Sequence, residues 1–295
     1  MAMRYPGVRI EAITVVAGNV PVDQAVQNAL YTVELCQQRI PVYRGLSAPL
    51  IRPLFTAQFV HGEDGMGDIG LPLSGRKPSD GHGVDVLIDM ICRYADDIIL
   101  LALGPLTNVA AALRQKPSIA GKVSECVIMG GTGQGHGNIT PVGEYNFWAD
   151  PEAAKIVFES GIPIKMVGWD ISRTYATFNP QDEAELLAIG TPVAEFCVDI
   201  QATLRQFAMS RSKLPGFDLP DAIATAIALE PEVATKVKSV YVEIETQSEL
   251  CRGQSVVDHN AVLDKNPNVE IVLEASRDRF WEMLCDAVRV DYPLL

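Results

Sequence analysis

Two kinds of segment alternate along the chain. Short runs are apolar at almost every position: Val8–Val16, Asp97–Leu103, Glu125–Met129, Pro163–Val167, Val237–Ile244 and Asn268–Leu273. They are rich in Val and Ile and show no in-out alternation, which is how a strand covered on both faces reads. Between them, apolar residues recur every three or four positions. That spacing predicts helices over Val22–Gln38, Gly83–Tyr94, Asn108–Gln115, Pro151–Ser160, Gln181–Ile189, Thr191–Ser210, Asp221–Leu229 and Arg277–Val288. Proline stands near the start of several of these, where its missing N–H is no loss. The alternation predicts one α/β domain over residues 1–295, with an open, mostly parallel central sheet flanked by helices and right-handed crossovers.

The polar motifs fall just after the strands. Ala17-Gly18-Asn19 follows the first, Gly104-Pro105-Leu106-Thr107-Asn108 the second, Gly130-Gly131 the third, and Trp169-Asp170 the fourth. Ligands of open α/β sheets bind outside the carboxyl ends of the strands, so these motifs are expected to rim one pocket. Beyond the third strand, Asn138, Glu144 and Asn146 stand close together in a stretch with little charge and no neighbouring cation. Amides and carboxylates address hydroxyl groups in fixed directions, so the cluster suits a neutral, hydroxyl-rich ligand such as a sugar. A phosphate would call for Arg, Lys or a helix N-terminus. The region Gly62–Gly83 is glycine-rich and long enough to be a functional loop, or simply a solvated one.

Composition narrows the classes. The net charge of −13 gives no electrostatic footprint for nucleic acid. Six scattered cysteines, Cys36, Cys92, Cys126, Cys197, Cys251 and Cys285, contain no C-x-x-C pair, which favours a reducing cytoplasm over a disulfide framework or a zinc site. No apolar run spans a bilayer and no hydrophobic signal region opens the sequence. The glycines from Gly131 to Gly137 invite a dinucleotide reading, but the third required position is His136. Walker, H-E-x-x-H and G-x-S-x-G motifs are absent. His61, His82, His136 and His259 are far apart; the first three are expected to be solvated, and nothing near His259 singles it out.

The ordered blocks I-T-V-V-A-G-N at Ile13–Asn19, P-V-Y-R-G at Pro41–Gly45, V-H-G-E-D-G-M-G at Val60–Gly67, L-G-P-L-T-N at Leu103–Asn108, Met129-Gly130-Gly131, Gly137–Ala154, M-V-G-W-D at Met166–Asp170, P-D-A-I-A at Pro220–Ala224 and R-G-Q-S-V-V-D at Arg252–Asp258 resemble the nucleoside hydrolase family, the inosine/uridine-preferring ribohydrolases. The resemblance covers nearly the whole chain. It implies a Rossmann-like fold and hydrolysis of the N-glycosidic bond of ribonucleosides to free base and ribose. It implies Ca²⁺ as cofactor and a homo-oligomer, dimer or tetramer. By match, Asn19 would bond ribose hydroxyls, Asn138, Glu144 and Asn146 would hold the sugar, and Met129 would pack against it. His61 would lie near base or ribose, and Asp221 with the backbone carbonyl of Leu103 would ligate calcium. Plain structural roles also suit two of these residues: Asp221 could complement a helix dipole, and Asn19 could cap the helix that follows.

Two departures bear on activity. The family's opening D-T-D-x-G-x-D-D strand, whose aspartates hold calcium and include the general base, has no counterpart here, and Met1 aligns inside the family's first helix. The resemblance therefore implies an N-terminally truncated chain with no assignable catalytic base. Loss of a general base alone costs on the order of 10²–10⁴ in rate. An absent central strand would also leave buried backbone groups unpaired, at roughly 1–3 kcal/mol each. The expectation is a marginally stable, weak or inactive hydrolase, with a catalytically dead ribose- or nucleoside-binding pseudoenzyme, or a structural partner of an intact copy, as the rival readings. Pro220 replaces a histidine that protonates the leaving base in some members, so Trp148, Tyr145 or Tyr175 would have to stack on the base instead. Base preference is not legible.

Overall fold

The computed structural model describes residues 1–210 and 216–289. Its strands are β1 (Ile13–Val15), β2 (Val42–Arg44), β3 (Ile99–Ala102), β4 (Glu125–Met129), β5 (Ile164–Val167), β6 (Thr177–Phe178), β7 (Phe217–Asp218), β8 (Ala234–Ile244), β9 (Ser255–Asp258) and β10 (Val269–Ala275). Its α-helices are α1 (Val22–Leu35), α2 (Gln58–His61), α3 (Gly83–Arg93), α4 (Thr107–Gln115), α5 (Tyr145–Ala149), α6 (Pro151–Glu159), α7 (Trp169–Tyr175), α8 (Pro180–Leu187), α9 (Pro192–Asp199), α10 (Ala202–Ser210), α11 (Pro220–Leu229) and α12 (Arg277–Arg289).

The main sheet has the order β3-β4-β5-β10-β8-β9. β3, β4, β5 and β10 run parallel, as their mostly apolar sequences imply. β8 and β9 are antiparallel additions at one edge. β1 pairs in parallel with β2 in a separate two-stranded sheet. The period-2 geometry of β4 sends Cys126 and Ile128 into one core, with α4 and α6, and Val127 and Met129 into the other, with α11 and α12. Both faces of that strand are thus sealed, and each fully buried side chain contributes roughly 1.5–3 kcal/mol.

Several elements differ from the expectations. The first strand is confined to Ile13–Val15, the only residues there that find a ladder partner. The helix expected over Thr191–Ser210 is two helices, α9 and α10. The break lies at Ile200, whose carbonyl is backed by Gly67 of the glycine-rich loop, while Thr203 Oγ1 donates to the Gly67 carbonyl at 3.2 Å. That contact comes from a distant loop and leaves no mark in helical periodicity. The glycine-rich loop is itself ordered: Asp68 accepts the Glu63 and Asp64 amides, and Asp64 accepts those of Met66 and Asp68. β2, β9, α2, α5 and α7 were not expected, because each is five residues or fewer or, for α7, begins on a motif read as a loop. His82 is not merely solvated, since it accepts the Val84 amide at the start of α3, and His259, which nothing in the sequence singled out, bonds the Gly133 carbonyl.

Candidate functional site

Met129 ends β4, and the chain turns through Gly130 and Gly131. A Cβ on either glycine would meet the Phe147 ring at 2.4 and 2.6 Å, and Gly131 has φ +63°, so both positions require glycine. The turn brings β4 over α5. Glu144 caps that helix: Oε1 accepts the Asn146 amide at 2.9 Å, and Oε2 accepts those of Gly131 at 2.9 Å and Phe147 at 3.4 Å. A single carboxylate therefore ties the turn to the helix. Asn146 Nδ2 donates to the Met129 carbonyl at 3.1 Å and lies 3.2 Å from its sulfur, which directs Oδ1 away from β4. Asn138 Oδ1 accepts the Tyr145 amide at 2.8 Å, and its Nδ2 has no partner among the described residues. The three residues singled out by the sequence are thus gathered over the end of β4, with one free amide pole each on Asn138 and Asn146. Glu144 is 2% exposed and is engaged mainly with backbone.

Asp221 sits in the first turn of α11, which packs on β3 and β4. It keeps solvent-accessible surface, yet protein surrounds it. Desolvation pushes its carboxyl up to about 7, with no hydrogen bond or cation opposing it. Burial likewise pushes Glu144 up to about 7 against its three backbone donors, and the nearby charge of Asp221 adds to the rise. A carboxyl at Asp221 without a hydrogen-bond partner among the described residues, and one of raised pKa at Glu144, favour a ligand that brings hydroxyl donors or positive charge. Oxygen donors of this kind suit a hard cation, which takes roughly 6–8 oxygens. Asp221 and the Leu103 carbonyl are what this chain offers, and no group of three or more His, Cys, Asp or Glu gathers among the described residues. That set does not complete a calcium site.

Asn19 is exposed, and its carbonyl accepts the Ala57 amide at 2.9 Å. It does not cap α1, whose N-cap is Pro21 without a side-chain bond. His61 ends α2, and burial lowers its pKa to about 4, so the ring is neutral at physiological pH. Pro220 occupies the first turn of α11, where its missing amide is harmless. Tyr145 donates its hydroxyl to the Phe55 carbonyl at 2.7 Å, and Trp148 lies 4.2 Å beneath the Arg252 guanidinium.

Pattern reading missed an aromatic tract running from this cluster. Trp148 meets Phe55 edge-on at 5.2 Å, Phe55 meets Phe59 at 6.2 Å, and Phe59 meets Phe207 at 6.0 Å. Phe59 and Phe207, with Thr203, Gln206 and Ser210, line a cavity of about 410 Å³. These residues come from segments almost 150 positions apart, so no local signal marks them. Asp150 was also missed as a keystone. It is fully buried and accepts Leu50 N, Thr107 Oγ1 and Ala153 N at 2.9, 2.7 and 3.1 Å. The run Asp150-Pro151-Glu152 is a legible helix start and could have revealed it.

Comparison with known proteins places the whole chain. The family model described as inosine-uridine preferring nucleoside hydrolase matches residues 1–282. The pyrimidine-specific ribonucleoside hydrolase RihB of Shigella flexneri serotype 5b is 35% identical over 291 residues, covering 98% of this chain and 91% of that protein. A plant nucleoside hydrolase structure, PpNRh1, superposes with a TM-score of 0.92 at 29% identity, covering 98% of this chain and 93% of that one. A purine-preferring ribonucleoside hydrolase from Gardnerella vaginalis follows at TM-score 0.89 and 28% identity, covering 98% and 92%.

Proposed function

The chain belongs to the inosine-uridine preferring nucleoside hydrolase family, and on that premise we propose that it binds ribonucleosides and hydrolyses their N-glycosidic bond to free base and ribose. The observation that carries the reading is the gathering over β4 of Asn138, Glu144, Asn146 and Met129, with the Asp221 carboxyl near enough to Glu144 to raise its pKa. The free amide poles of Asn138 and Asn146 address the ribose hydroxyls, with Asn19 and His61 at the same rim. Met129 supplies an apolar floor. The base enters the cavity of Phe59 and Phe207, whose ring faces accept any base by stacking, while Gln206, Thr203 and Ser210 meet its polar edge.

The bond breaks through an oxocarbenium-like sugar. The carboxyl groups of Glu144, which is buried, and Asp221, which is exposed in the first turn of α11, favour that positive charge electrostatically. Asp221 and the Leu103 carbonyl are the groups of this chain that would hold a calcium ion, which would supply Lewis acidity toward the attacking water. With no histidine at Pro220, departure of the base rests on stacking rather than on a proton from that position.

Pyrimidine ribonucleosides are the first substrates to test, since the curated relatives at 35% identity carry that specificity. A reducing-sugar assay over uridine, cytidine and inosine, with Asn146→Ala alongside, is the test. Ribose release that Asn146→Ala reduces by 10-fold or more supports the proposal. Release unaffected by that change refutes it. Calorimetric binding of uridine with no ribose released would instead mark a nucleoside binder without turnover.

A further inference from the structure

Asp170 was expected to rim the pocket. Its carboxylate instead grips a different element. It lies in the first turn of α7, and Oδ1 accepts the Gly133 amide at 2.8 Å while Oδ2 accepts the Gln134 amide at 3.1 Å. The approach is close enough that a Cβ on Gly135 would stand 2.8 Å from Asp170 Cβ. The same stretch is held from three other directions. Ser255 Oγ donates to the Thr132 carbonyl at 2.7 Å and accepts its amide at 2.9 Å. His259 Nε2 donates to the Gly133 carbonyl at 2.8 Å. The Trp169 amide donates to the Gly131 carbonyl at 2.9 Å. Side chains from α7, β9 and the segment after β9 thus satisfy five of the six peptide groups of Thr132–Gln134, while Glu144 and the Trp169 amide take those of Gly131. A glycine-rich stem would otherwise be the most pliable part of the site.

That stem leads from Met129 to Asn138. Asn138 Oδ1 accepts the Tyr145 amide, its own amide donates to the Gly143 carbonyl, and the Gly137 amide donates to the Pro141 carbonyl, so Asn138 sits in a turn that the stem joins to β4. We propose that Asp170, supported by His259, is a positioning residue that sets Asn138 against the ribose by clamping the Gly131–Gln134 stem. The proposal rests on the reading above, that Asn138 contacts the sugar.

The test uses uridine as probe on the full chain. Its affinity is measured by calorimetry for the parent, Asn138→Ala, Asp170→Ala and the double variant, with amide exchange followed across residues 131–149. A lost bond of this type is worth about 10-fold, so Asp170→Ala should weaken binding by roughly that factor. Gly133 and Gln134 amides should exchange about 10-fold faster or more, while those of α5 stay protected. The double variant should bind no worse than Asn138→Ala alone, because a positioning effect disappears with the group it positions. Asp170→Asn, which keeps one carbonyl oxygen for the Gly133 amide, should retain most of the affinity. His259→Ala should give a smaller loss in the same direction, and these two variants decide the matter if Asp170→Ala does not fold. Additive losses, or parent-like affinity in Asp170→Ala with a clear loss in Asn138→Ala, overturn the clamp alone. Parent-like affinity in Asn138→Ala overturns the sugar contact, and the clamp with it.

Discussion

Replacing Asp150 by alanine removes the acceptor shared by three segments. Leu50 N, Thr107 Oγ1 and Ala153 N all end on it, and the site is sealed, with Asp150 at 0% and Thr107 at 1% exposure. Each donor left buried without an acceptor costs about 1–3 kcal/mol. Burial raises the Asp150 pKa above the usual carboxylate range, so holding the charge carries a cost that alanine relieves. The net expected loss is about 2–4 kcal/mol, a large fraction of a total near 5–15 kcal/mol. Asp150→Asn separates the contributions. Oδ2 takes both Leu50 N and Thr107, and Oδ1 takes only Ala153 N. An amide oxygen in the Oδ2 position keeps the first two, so only the cap of α6 is lost, at about 1 kcal/mol. Urea unfolding followed by tryptophan fluorescence reads both, and nucleoside binding by the folded Asn variant should be unchanged. A loss below about 1 kcal/mol in Asp150→Ala, or equal losses in the two variants, would show that the donors find water instead and refute the reasoning.

Three further outcomes are expected. Gly45→Ala would place a Cβ 2.4 Å from Asn108 Nδ2 and 2.5 Å from the Val15 carbonyl, breaking the bonds by which Asn108 ties Leu46 to Val15; thermal unfolding should show a loss of about 2–3 kcal/mol. The His61 pKa, lowered to about 4 by burial, means the unfolded chain binds the extra proton first as pH falls through the ordinary value of 6.5. Its contribution to stability is therefore full above that value and declines between pH 6.5 and 4, and urea midpoints of His61→Gln should flatten over that window. Phe207→Ala should raise KM for uridine by about 10-fold with little change in unfolding midpoint, since base–aromatic stacking is worth about 1–3 kcal/mol; an unchanged KM would move the base elsewhere.

The site was legible where chemistry is local and obscure where it is assembled. Asn138, Glu144 and Asn146 lie within one short stretch, and their residue types announce a hydroxyl-reading cluster before any fold is known. Their division of labour was not legible. Glu144 looks like a free carboxylate in sequence, but three backbone amides converge on it, and whether an amide points at a side chain depends on the turn at Gly130 and Gly131. Asp170 was misassigned for the same reason. Phe59, Phe207 and Gln206 had no signal at all, because an exposed aromatic on a short helix reads the same whether or not a second helix faces it.

Alone, the sequence determined the α/β class and the buried parallel strands β4 and β5, since a strand covered on both faces must be apolar throughout. It also placed the functional motifs at one end of the sheet, because the chain must turn there. The tertiary structure decided the antiparallel edge of β8 and β9, the break at Ile200, the three-way junction at Asp150 and the clamp on the Gly131–Gln134 stem. Each of those depends on a hydrogen bond or a close approach between residues far apart in sequence. Such contacts satisfy donors and acceptors that every peptide carries alike, so the choice between partners is made only when packing brings them together.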